Sequence, residues 1–136
     1  MRANFLEVFN SFRGYLADTV PELGSIITYW DDPFKVSKNR AIMLPDGHTE
    51  SGGLVTFSII LFASTVEKSV DAIPQTQMAV MEKIFRAVYN HDAPGSILRM
   101  AIDGADYFDP APQSPNIGIM RVIIQLTVEY LDDCDY

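Results

Sequence analysis

The sequence predicts an α+β fold in two layers, an antiparallel four-stranded sheet with two helices on one face. Two stretches, LVTFSIILFA (residues 54–63) and IGIMRVIIQLTVEYLD (residues 117–132), alternate side chains with a period of two, as half-buried strands do. Two others, near residues 3–19 and 72–90, repeat apolar side chains every three or four positions, as packed helices do. Their order is helix, two strands, helix, two strands, and 136 residues suit one domain with one core.

In the first helix Phe5, Phe9, Phe12 and Leu16 share a face, Asn4 is one candidate N-cap with a start at Arg2 or Ala3 as the alternative, and Pro21 limits the far end. Ile26, Ile27, Tyr29 and Trp30 form a short extended piece, residues 31–39 read as loop, and residues 41–44 as a short strand. Pro45-Asp46-Gly47 and Gly52-Gly53 are turn signals, which leaves His48, Thr49, Glu50 and Ser51 exposed between them. In the 54–63 strand Val55, Phe57, Ile59, Leu61 and Ala63 face the core, and the opposite face mixes Leu54, Ile60 and Phe62 with Thr56 and Ser58.

The second helix opens at Asp71 as a cap, tolerates Pro74 in its first turn, and directs Gln77, Met81, Ile84, Phe85 and Val88 to one side. Residues 96–103 read as the third strand. In the fourth, Met120, Val122, Ile124, Leu126, Val128 and Tyr130 face one way and Arg121, Ile123, Gln125, Thr127 and Glu129 the other. Between these strands residues 103–116 read as a long loop, carrying Asp103, Asp106 and Asp109 at steps of three, with Tyr107 and Phe108 among them.

Composition excludes several classes. The chain is 48% hydrophobic, too apolar for disorder. Net charge is −8, and residues 101–136 hold one basic side chain, Arg121, against seven acidic ones. No Lys/Arg cluster is present to grip a phosphate backbone, so specific nucleic-acid binding is not expected. The single cysteine, Cys134, cannot make an internal disulfide. The opening MRANFLEVFNSFRGYL is broken by Glu7 and helically spaced, unlike a secretion signal, and no apolar run is long enough to cross a bilayer. A soluble protein made inside a cell is the expectation.

Chemistry is sparse. His48 and His91 fall in separate loops without spaced His or Cys partners, so no zinc set is read, and no hydrolase, nucleotide or dinucleotide signature occurs. Ser51 has no base near it in sequence. The three aspartates do not follow the alternating spacing of a calcium loop, and no distal Glu completes one. No cofactor or metal is expected and no catalytic residue is assigned. Asp103, Asp106, Tyr107, Phe108 and Asp109, together with Leu54, Ile60 and Phe62, are instead candidate assembly contacts, since aromatic residues beside charge and semi-apolar sheet faces suit a protein partner; the same pattern equally fits Tyr107 and Phe108 folded back onto the sheet and a sheet face partly covered by the chain's own loops.

The helix FLEVFNSFRGYL, the strand LVTFSIILFA followed by the helix QTQMAVMEKIFRAVY, and the closing strands SILRMAID and IGIMRVIIQLTVEYLDD with a long connection between them resemble the tail terminator, or tail-completion, proteins of long-tailed bacteriophages. The resemblance implies a structural protein of the virion tail or neck, assembled in the host cytoplasm. It implies a ring of identical subunits, typically a hexamer, that caps the finished tail tube and prepares it for head-joining proteins. DNA would pass through such a ring, and an acidic lining would repel it. Two readings of other classes remain beside this one: a two-layer α+β module that binds a peptide or small molecule, favoured by a large apolar pocket between helices and sheet, and a small carboxylate- or metal-dependent enzyme using residues 103–109.

Overall fold

The computed structural model describes residues 4–89, 92–108 and 110–129. The chain is α+β, with two helices on one face of a single five-stranded sheet. In chain order the elements are α1 (Phe5–Thr19), β1 (Ser25–Ile27), β2 (Arg40–Ser51), β3 (Leu54–Val66), α2 (Ile73–Tyr89), β4 (Arg99–Phe108) and β5 (Ile117–Glu129). The strand order across the sheet is β1-β2-β3-β5-β4.

The sheet corrects the expectation of four antiparallel strands. The extended piece at Ile26 and Ile27 is a fifth strand that pairs with β2 in parallel, Ile26 opposite Ala41. Three residues are too few to show a period, which is why sequence pattern does not reveal it. The other pairings are antiparallel. β3 and β4 both run antiparallel to β5, which lies between them, so β3, α2 and β4 form a crossover split by the last strand.

Two further boundaries move. Pro45-Asp46-Gly47 does not reverse the chain. It is absorbed inside the 12-residue β2 as a bulge: pairing with β3 stops at Pro45↔Ile59 and resumes at His48↔Phe57. β1 covers β2 only as far as Ile42, so Pro45 lies on an unpaired edge where its missing N–H costs no ladder bond, and Gly47 takes the positive φ of 109°. His48, Thr49, Glu50 and Ser51 are exposed, as expected, but extended, and Gly52-Gly53 makes the reversal with φ of 58° and 81°.

The third strand is longer than its pattern. Residues 103–108, expected as loop, belong to β4, and the connection to β5 is correspondingly shorter. Asp103 is the extra residue of a bulge between Ile102↔Ile124 and Gly104↔Ile123, which interrupts the alternation that would have marked the strand. At α2, Asp71 is not the cap; it lies in a 3-10 turn, Val70–Ala72, that leads into the helix. Phe85 points away from the core, 43% exposed, its ring tilted against that of Tyr89 with centroids 5.7 Å apart. Tyr130, His91 and Cys134 lie outside the described residues.

One core fills the space between helices and sheet. Val8, Phe12 and Leu16 from α1 and Val80, Met81, Ile84, Ala87 and Val88 from α2 meet Val55, Ile59, Leu61, Met120, Val122, Ile124, Leu126 and Val128. The Asn4 side chain accepts from the Glu7 N–H at 2.8 Å and caps α1. The Tyr15 hydroxyl donates to the Ala87 carbonyl at 2.6 Å and ties the helices together. Asn39 locks the first crossover, donating to the Glu22 carbonyl at 3.1 Å and accepting from the Val66 N–H at 2.8 Å.

Phe12 is fully buried at the centre of this core, so Phe12→Ala should lower unfolding free energy by about 3–5 kcal/mol in urea titration. Gly24 has φ +74° and a Cβ there would run into the Asn39 carbonyl, so Gly24→Ala should cost about 2 kcal/mol or more by the same measurement.

Candidate functional site

The sheet face turned away from the helices carries most of the candidate contacts. Successive cross-strand rows can be read from the register. One row is Leu44, Ile60, Ile123 and Gly104; the next is Ile42, Phe62, Arg121 and Asp106; the third is Arg40, Ser64, Ile119 and Phe108. Ile60, Phe62, Asp106 and Phe108 therefore come together over adjacent rows of one face. Leu54 shares the face but lies at its far end, opposite Glu129, and is 40% exposed. Asp103 is exposed on the β4 bulge. Tyr107 points the other way, paired with Met120 on the helix side, and its burial pushes the phenol pKa up. Asp109 lies outside the described residues.

Residues 28–39 cross part of this face. The Ser64 hydroxyl donates to the Pro33 carbonyl at 2.7 Å, and the Ser114 hydroxyl to the Phe34 carbonyl at 3.4 Å. Arg40 anchors the segment through Asp31 at 2.8 Å and the Asp32 carbonyl at 3.0 Å. Beneath it Ile42 and Ile119 are buried. Beside it lies a cleft of about 460 Å³ lined by Trp30, Asp32, Pro33, Phe34, Phe62, Phe108 and Ile119. The Trp30 and Phe62 rings meet edge to face at 5.3 Å, and the Arg121 guanidinium sits 5.9 Å from the Phe108 ring while pairing with Asp106.

Sequence pattern placed Phe62 and Phe108 separately; it did not place Trp30 or Phe34 beside them. The available signal was two large aromatics, Tyr29 and Trp30, at the head of a polar stretch, and both remain about 60% exposed (63% and 59%).

Of the three aspartates, the structure describes Asp103 and Asp106. Asp106 is held by Arg121, Asp103 is on the bulge, and among the described residues no set of three or more His, Cys, Asp or Glu side chains is placed to hold a metal ion. Among the same residues no helix is long and apolar enough to cross a membrane.

A second cleft, also of about 460 Å³, opens on the helix side between the start of α1 and the β2–β3 hairpin. Phe5, Leu6, Phe9, Pro45, His48 and Phe57 line it, and Phe5 packs edge to face on Phe57 at 4.4 Å and on His48 at 5.1 Å. The β2 bulge brings His48 to this side, a placement that depends on a register shift invisible in the pattern.

No protein-family model matches this chain, and the curated proteins contain no match to it.

The chain has one tryptophan, so its emission reports on the open face. Phe62→Ala should shift Trp30 emission, and Phe57→Ala, on the opposite face, should leave it unchanged. Asp31 is held below the ordinary carboxylate pKa, first by the Asp32 N–H and then by Arg40. A depressed folded-state pKa means the anchor persists through the ordinary aspartate range and is lost only as pH falls below it. Trp30 emission should follow that order, and Asp31→Asn should abolish the low-pH step.

Proposed function

We propose that this chain is a structural assembly protein of a bacteriophage virion, a ring-forming tail terminator or neck component that caps the tail tube and prepares it for head joining. The observation that carries the reading is the open sheet face. It places Leu44, Ile60 and Ile123 in one aliphatic row beside the Trp30, Phe34, Phe62 and Phe108 cleft, an apolar centre bordered by the Arg121–Asp106 pair. An apolar aromatic centre with a charged rim is the anatomy of a protein contact.

The sheet edges favour contact through faces over strand addition. β2 carries Pro45 and a bulge along its uncovered edge, and β4 carries a bulge whose Ile102 N–H donates to the Tyr89 hydroxyl at 2.7 Å. Such features discourage edge-to-edge pairing. The helix, hairpin, helix, hairpin order, with β1 added at one edge, remains similar to the resemblance drawn from sequence. The acidic surplus after residue 100 suits a lumen that DNA crosses without sticking.

A second reading, a ligand- or peptide-binding module, is favoured by the apolar cleft under α1. Solution measurements separate the two. Native mass spectrometry at rising concentration, with and without tail tubes lacking their cap, should show a closed oligomer, and Trp30→Ser with Phe108→Ser should weaken it by about tenfold or more. Both residues are over 40% exposed (59% and 41%), so the double variant should keep its melting temperature within a few degrees. A chain that stays monomeric under both conditions would rule out the ring.

A further inference from the structure

A ring of more than two identical copies cannot be closed by one patch meeting itself. A patch on its own counterpart gives an isologous pair and stops at a dimer, so a larger ring needs a heterologous contact between two different patches of the same chain. The open sheet face supplies one of them. The helix layer carries a second on α2. Met78, Phe85 and Tyr89, at positions i, i+7 and i+11, share one stripe of the helix and are 58%, 43% and 51% exposed. The Glu82–Arg86 ion pair, at 2.6 Å, lies alongside them.

The stripe is held in place before any partner arrives. The Tyr89 hydroxyl accepts from the Ile102 N–H of β4 at 2.7 Å, which fixes the ring against the flank of the sheet, and the Phe85 ring tilts against it. Aromatic anchors already fixed lose little freedom on binding. Direction matters as well. At about 100° per residue the stripe centres roughly a third of a turn around α2 from the side that packs on the sheet, on the β4 flank. The open face looks along that packed side. Two contacts set at such an angle turn each copy relative to the last, as ring closure requires, whereas contacts on opposite sides would stack copies in a line. Net charge of −8 opposes self-association, but carboxylates beside both patches are paired, Asp106 with Arg121, Asp31 with Arg40 and Glu82 with Arg86. The other exposed apolar pair on the helix side, Phe5 and Leu6, is partly used already, since Phe5 packs on Phe57 and His48.

We infer that the open sheet face of one copy docks on the α2 stripe of the next, with Trp30, Ile60 and Phe62 of the first against Met78, Phe85 and Tyr89 of the second. The occupant of the stripe is thus a second copy of this chain. Resting on the ring reading, this contact adds the second surface that a ring requires.

The test is complementation between two variants, read by native mass spectrometry under the condition in which the wild type assembles. Trp30→Ser with Phe108→Ser breaks the open face, and Met78→Gln with Phe85→Gln breaks the stripe while keeping good helix formers in α2. Each double variant alone should assemble about tenfold or more weakly than the wild type. Mixed, they should form a dimer of one copy of each and nothing larger, because a single intact contact remains between them. Met78→Glu, at the most exposed of the three positions, repeats the test if the α2 double variant melts early. An α2 variant that closes the wild-type ring equally well overturns the contact, as does a mixture without the mixed dimer. An α2 variant that closes the ring but no longer joins tail tubes assigns the stripe to the tube and overturns the contact too. A wild type that stays monomeric removes the ring reading and the contact with it.

Discussion

β3 and β5 are held in an unbroken antiparallel register over 13 residue pairs, from Leu54↔Glu129 to Val66↔Ile117. Because side chains alternate between faces, this register decides at once which residues each layer receives. Val55, Ile59, Leu61 and Ala63 meet Val128, Ile124, Val122 and Met120 beneath the helices, while Ile60, Phe62 and Ser64 meet Ile123, Arg121 and Ile119 on the open side. A slip of one residue would turn the core residues of one strand to solvent. Both helices, the flanking strands and both groups of clefts take their positions from this pair.

The two faces obey different constraints. On the helix side nearly every inward position is aliphatic, and the core is closed by Phe12, Leu16 and Ile84. On the open side the chain covers only part of what it exposes. Residues 28–39 bury Ile42 and Ile119, held by the Arg40 anchor and the Ser64–Pro33 hydrogen bond, and stop short of Ile60 and Leu54. What remains is a semi-apolar surface with aromatic rings at its centre. That surface, on a chain with protected strand edges, is what the proposed face-to-face association rests on.

The strong periodicities were legible from sequence: both helices, the core faces of β3 and β5, and the mixed character of the opposite faces. The α+β class followed from them. The parts that escaped share a physical cause, a local break in period. β1 is three residues long, Pro45-Asp46-Gly47 has the chemistry of a turn but is absorbed as a bulge, and Asp103 breaks the alternation of β4 so that its second half resembles loop. Longer strands capture these irregular stretches because β3 and β5 still present unpaired edges that β2 and β4 extend to satisfy. The candidate contacts fared accordingly. Ile60, Phe62, Asp106 and Phe108 converge on one face, whereas Tyr107 turns to the helix side, since neighbours in a strand point oppositely. Trp30 joins them through a loop crossing that no local pattern encodes.

In the proposed association of copies through the open face, Trp30, 59% exposed on that face in the single chain, would be covered by a neighbouring copy. Acrylamide quenching of its fluorescence across the monomer-to-oligomer transition reads that burial. Quenching should fall as the oligomer forms, with a blue shift as the indole loses water; an oligomer in which Trp30 stays as quenchable as in the monomer would rule out association through this face.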